Sequence, residues 1–138
     1  MRNDRSDGRT RILVVDDEKS TIDTLRMALE LDNYEVVEAH NGEKAIMKAQ
    51  NEPFDLILLD IMLPDITGYE VCNKLRKNPL TRSAPIIMLT GMTGASDKMA
   101  GLDLGAVDYI TKPFDLNELK AKIRIVLQSS TSQARMNC

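Results

Sequence analysis

The sequence holds no apolar run approaching the roughly 20 residues needed to cross a bilayer, so a membrane-spanning helix is excluded. Its opening, Met1 to Arg11, is polar and offers no hydrophobic stretch of the kind a secretory signal requires. Only two cysteines are present, Cys72 and Cys138, with no C-x-x-C spacing. A disulfide framework and a structural zinc site therefore both lack their ligands, and reduced thiols in a cytoplasmic setting are expected. The single histidine, His40, lies beside the turn signal Asn41-Gly42 and reads as a surface turn residue rather than a catalytic base. Basic residues are outnumbered, 18 Lys and Arg against 21 Asp and Glu. The formal net charge is −3, and arginines 2, 5, 9 and 11 sit near the N-terminus, so the body from Ile12 to Leu127 is more acidic than the total suggests. Such a body is a poor match for a phosphate backbone, and direct nucleic-acid binding by this domain is not expected.

What is present is the balance of an ordinary globular domain: 43% hydrophobic and 28% charged residues in a 138-residue chain. Periodicity divides it into short apolar runs alternating with helical stretches. Ile12–Val15, Leu56–Leu59 and Ile86–Leu89 are apolar at every position, as strands buried on both faces should be. Residues 34–38 and 107–110 read as weaker strands, the former as an edge. Between them, Ile22, Leu25 and Leu29 recur at helical spacing, as do Ala45, Ile46 and Ala49 after Asn41-Gly42. Val71, Cys72 and Leu75 form the inward face of a third helix that stops before Pro79. Ser96 caps a short expected helix carrying Met99 and Leu102 and ending at Gly105. Asp115 and Glu118 make a D-x-x-E start to a last helix with Leu116, Leu119, Ile123 and Val126 on one side. About five strands alternating with about five helices predict an α/β fold, a doubly wound parallel sheet with helices on both faces. The expected domain is 11–128, with flexible tails at 1–10 and 129–138, the latter a free terminus or a linker stub.

In an open parallel sheet, ligands bind at the carboxyl ends of the strands. Those ends carry Asp16 and Asp17, Asp60, Thr90, and Lys112. Taken singly, each has an ordinary explanation: helix-dipole partners for Asp16 and Asp17, a loop residue for Asp60, a solvated charge for Lys112, a strand-end hydroxyl for Thr90. Gathered on one rim they do not, because three converging carboxylates repel unless cations compensate. A hard divalent ion such as Mg²⁺ together with one lysine is the natural answer. With no histidine base, no G-x-S-x-G elbow and no G-x-x-x-x-G-K-[ST] loop, serine hydrolysis and nucleoside triphosphate binding are disfavoured. A carboxylate beside Mg²⁺ and lysine can instead act as a nucleophile toward phosphorus, with Thr90 hydrogen-bonding the bound phosphoryl group.

The segments V-V-D-D, L-I-L-L-D-I-M-L-P-D-I-T-G, P-I-I-M-L-T-G and Y-I-T-K-P-F, in this order from about Arg11 to about Leu127, resemble the receiver domain of two-component response regulators. The resemblance implies a five-stranded sheet in the flavodoxin-like order 2-1-3-4-5. It implies Asp60 as phosphoacceptor, Asp17 as direct Mg²⁺ ligand, Asp16 acting through water, and the Met62 carbonyl completing the protein ligands. Lys112 would contact the phosphoryl group, ahead of Pro113 in a cis peptide, and Thr90 with Tyr109 would form the switch pair. In the family these remodel the face built from the fourth helix, last strand and last helix, biasing a pre-existing equilibrium. Phosphate would come from a sensor histidine kinase or a histidine phosphotransfer protein, and the output would be a downstream protein or a fused domain. This makes the domain a signalling switch rather than an enzyme.

Two positions that the family leaves variable, Met62 and Met92, are both methionine here. Neither side chain can orient a hydrolytic water, so slow self-dephosphorylation is expected. Three other classes fit less well. A haloacid dehalogenase-type phosphatase needs D-x-D, whereas Asp16 and Asp17 are adjacent. An FMN binder needs Ser, Thr and Gly where Asp-Asp-Glu stands. An unphosphorylated binding module would not need the complete acidic set. Dimerisation through the last helix occurs in the family, but Lys120, Lys122 and Arg124 read equally well as a solvated face.

Overall fold

A computed structural model describes residues 8–91 and 106–136. The expected helix capped by Ser96, and Met92 with it, lie outside the described residues. In chain order the elements are β1 (Arg11–Val15), α1 (Lys19–Leu31), β2 (Glu35–Ala39), α2 (Gly42–Asn51), β3 (Leu56–Asp60), α3 (Gly68–Lys77), β4 (Ile86–Thr90), β5 (Asp108–Thr111) and α4 (Leu116–Met136). The five strands form one sheet in the order β2-β1-β3-β4-β5, and every neighbouring pair is parallel. This is the doubly wound, flavodoxin-like arrangement that the alternating pattern and the resemblance implied.

The uniformly apolar strands are explained by period-two alternation between two buried faces. Leu13, Val15, Ile57, Leu59, Ile86 and Met88 point to one side, where Ala45 of α2 and Val71, Cys72 and Leu75 of α3 cover them. Ile12, Val14, Leu56, Leu58, Ile87 and Leu89 point to the other, against Ile22, Leu25 and Leu29 of α1 and Leu119 and Ile123 of α4. Cys72 is thus a small core residue, as expected.

Local signals set most helix ends. Asn41 accepts from the Lys44 N–H and caps α2, and Thr67 accepts from the Glu70 N–H and caps α3. Asp115 Oδ1 accepts from the N–H groups of Asn117, at 2.7 Å, and Glu118, at 3.3 Å, so the D-x-x-E signal marks a real cap. Asn33, with φ of 67°, turns the chain out of α1. The last helix runs to Met136, beyond Gln128 where the sequence pattern ends the domain. Composition suggests a tail there because Ser129, Ser130, Thr131 and Ser132 are weak helix formers.

Candidate functional site

The carboxyl ends of β1, β3 and β5 deliver their polar residues to one point. One carboxylate oxygen each from Asp16, Asp17 and Asp60 lies within 4.8 Å of the other two. Asp16 is fully buried and Asp60 nearly so, whereas Asp17 is exposed at the rim. Lys112 reaches in from the end of β5, its Nζ donating to Asp16 Oδ2 at 2.7 Å and to Asp60 Oδ2 at 3.2 Å. Glu18 stands farther out, with Oε1 at 3.9 Å from the same ammonium. Backbone donors hold the two buried carboxylates in place: the Glu18 N–H on Asp16 Oδ1 at 2.9 Å, and the Met62 N–H on Asp60 Oδ1 at 3.2 Å. The Lys112–Pro113 peptide is cis, as the resemblance implied.

Three carboxylates face one ammonium, so the cluster carries an excess of negative charge in a partly desolvated place. Its effect is visible on Asp60. Burial, then the charge of Asp16, push this carboxyl up from 3.8 to about 6, against the pull of Lys112 and the Met62 N–H. Lys112 moves the other way from what burial alone would do. Desolvation favours its neutral form, but the hydrogen bond to Asp16 and the charges of Asp60 and Asp16 raise its pKa instead. The donor set is all oxygen, acidic and open on the Asp17 side, which suits a hard divalent cation.

Thr90 is buried at the end of β4, where its carbonyl accepts the Lys112 N–H. The register pairs Asp60 with Leu89, so Thr90 stands one residue farther along toward the same rim. Tyr109 occupies β5 on the opposite side of the strand from Ile110, half-buried, with Lys122 Nζ 5.4 Å from its ring centroid. Lys122 also donates to the Tyr109 carbonyl at 3.2 Å and pairs with Asp108 at 3.3 Å. Met62 is 61% exposed. His40 is a surface residue whose Nε2 lies 3.3 Å from Glu38.

Sequence reading picks out the acidic residues and the lysine but misses two supports. One is Glu18, which continues the acidic run. The other is Asp65, whose carboxylate reaches across to α2 and accepts from the N–H groups of Gly42 at 2.8 Å and Glu43 at 2.9 Å.

The rim, the sheet order and the acidic cluster with its lysine define a receiver domain. The chain belongs to that family: residues 12–124 match the model of the response regulator receiver domain. It is 46% identical over 119 residues to response regulator ArlR of Staphylococcus saprophyticus, covering 86% of this chain and 53% of that protein. It is 48% identical over 120 residues to PhoP of Bacillus subtilis, an alkaline phosphatase synthesis transcriptional regulatory protein, covering 87% of this chain and 49% of that one. The chain therefore spans about half the length of these curated relatives. Among solved structures, a CheY-like response regulator receiver domain protein from Methanospirillum hungatei superposes with a TM-score of 0.85 at 35% identity, covering 91% of this chain and 98% of that one. None of the helices among the described residues is long and apolar enough to cross a membrane.

Proposed function

We propose that this chain is a phosphoacceptor switch, taking a phosphoryl group on Asp60 from the phosphohistidine of a sensor kinase or histidine phosphotransfer protein. The observation that carries the reading is the placement of Asp60: a buried carboxylate at a strand end, with Lys112 bridging it to Asp16. Asp17, Asp60, the Met62 carbonyl and, through water, Asp16 would hold Mg²⁺. When bound, this ion would neutralise charge on the phosphoryl oxygens and further favour the ionised form of Asp60.

The chain's own groups do the rest. An ionised Asp60 oxygen attacks phosphorus as the N–P bond of the donor breaks. The electron pair of that bond returns to the imidazole nitrogen; with the other ring nitrogen of the phosphohistidine protonated, the leaving group is neutral histidine and the product an aspartyl phosphate. The Met62 N–H orients the carboxylate by holding Oδ1, which leaves the other oxygen toward Lys112. Lys112 offers its ammonium to the incoming phosphoryl oxygens, and the Thr90 hydroxyl moves to bind them while Tyr109 turns inward. The face that includes β5 and α4 would then engage a downstream protein, a fused output domain or a second copy of the chain. A cytoplasmic location follows from this partnership.

Intact mass after incubation with acetyl phosphate tests the proposal. One added phosphoryl group, requiring both Mg²⁺ and Asp60 and lost in Asp60→Ala, is expected. If neither acetyl phosphate nor the stable mimic beryllofluoride adds to the wild-type protein, the chain is a receiver-shaped binding module and the proposal fails.

A further inference from the structure

The loop from Ile61 to Thr67 carries the Met62 N–H that holds Asp60, and it is pinned at three places. At its root, Gly68 donates its N–H to the Ile61 carbonyl at 2.8 Å. A Cβ at Gly68 would collide with the Asp60 carbonyl oxygen and lie 2.8 Å from Ile61 Cα, so only glycine allows this closure without backbone movement. At its exit, Thr67 caps α3 through the Glu70 N–H at 3.1 Å. At its outer bend, Asp65 takes the first two N–H groups of α2, from Gly42 and Glu43, in a two-pronged contact. This third anchor has its own close fit: a Cβ at Gly42 would collide with Ile66 Cγ1 and lie 2.9 Å from Val71 Cγ2.

Helix α2 does not need Asp65 merely to be capped, because Asn41 already accepts from the Lys44 N–H at 2.8 Å. The Gly42 and Glu43 amides are the orphan donors that Asn41 leaves unpaired, and they carry the positive end of the helix dipole. An exposed aspartate 23 residues away in sequence supplies both acceptors. Loops without such ties move easily, and a charge-assisted pair of bonds to a rigid helix end removes that freedom.

We infer that Asp65 is a positioning residue: by tying the loop after β3 to the N-terminus of α2, it fixes the Met62 amide against Asp60 and so sets the geometry of the acidic site. The magnesium part of its test rests on the proposed function, whereas the positioning itself does not.

The experiment compares Asp65→Ala, Asp65→Asn and Asn41→Ala with the wild-type chain. The last removes the other cap of α2 and leaves the loop contacts intact. Hydrogen exchange of the Met62 amide, followed by NMR on the metal-free protein, is expected to be about tenfold faster in Asp65→Ala, as loss of a charged hydrogen-bonded tie predicts. Asp65→Asn, which keeps one acceptor, should fall between, and Asn41→Ala should leave Met62 unchanged. In calorimetric titration with MgCl2, Asp65→Ala should bind about tenfold more weakly than wild type, the scale expected of a group that orients metal ligands. Unchanged Met62 exchange in Asp65→Ala, or an equal rise in Asn41→Ala, would overturn the inference whether or not metal binds. Wild-type protein that takes up no Mg²⁺ would instead count against the proposed function and leave the exchange result to decide the role of Asp65.

Discussion

Replacing Asp60 by asparagine should make the metal-free protein more stable at neutral pH. In the folded chain the Asp60 carboxyl titrates near 6, against 3.8 for the ordinary side chain, because burial and the Asp16 charge disfavour its anion. A raised carboxyl pKa means that the folded state binds a proton the unfolded state has released. The stabilisation from this proton is complete below 3.8 and is lost as pH rises through about 6. A shift of this size corresponds to a penalty of about 3 kcal/mol at pH 7.5. The substituted asparagine would be neutral at all pH values but would bring an amide that needs a partner, costing about 1 kcal/mol. The net gain is then about 2 kcal/mol, or roughly 8 °C in Tm for a domain of this size. Thermal unfolding of wild type and Asp60→Asn in excess EDTA, between pH 4.5 and 8, measures it. Wild type should lose stability across that range relative to the variant, and saturating MgCl2 should close the gap by stabilising the wild type. An Asp60→Asn protein no more stable than wild type at pH 7.5 in EDTA, or one that keeps the wild-type pH slope, would refute the electrostatic account of the site.

Other substitutions probe the same scaffold. Lys112→Ala leaves the fully buried Asp16 without its cation and should cost about 3 kcal/mol in EDTA, with Mg²⁺ restoring more stability to the variant than to wild type in paired melts. Gly68→Ala drives a Cβ into the Asp60 and Ile61 backbone and should cost about 2–3 kcal/mol by urea denaturation. Met62→Asn puts an amide where a thioether now offers no donor. It should shorten the lifetime of phosphorylated protein several-fold, read as decay of the added mass, and an unchanged decay would sink the claim that Met62 slows hydrolysis.

Much of the fold was legible because its signals are local. Leu56 to Leu59 can be apolar at four successive positions only if both faces of the strand are covered, and α1 with α4 and α2 with α3 do cover them. The caps at Asn41 and Asp115 announced helix starts within one turn. Ends were harder: the serines and threonine after Gln128 argue against helix by propensity, yet α4 continues to Met136. Propensity is a weak prior once a helix is already nucleated by a packed face such as that of Leu119 and Ile123.

The site divides in the same way. Asp16, Asp17, Asp60 and Lys112 stood out only together: each alone has an ordinary explanation, but parallel strands bring these ends to one rim, where converging carboxylates need a cation. Asp65 gave no such signal. It lies between Pro64 and Ile66 in a segment that any loop could have, where aspartate is an unremarkable turn former. Its meaning depends on α2 presenting two bare amides to it after the chain has passed through the whole of β3, a relation that no periodicity encodes. The acidic strand ends and the lysine are therefore readable from the parallel-sheet pattern of the sequence. The precision with which Asp60 is held is not, because it comes from a contact between a loop and a helix end that only the folded sheet makes neighbours. Substitutions at Asp65 separate the two, because they leave every acidic strand end unchanged.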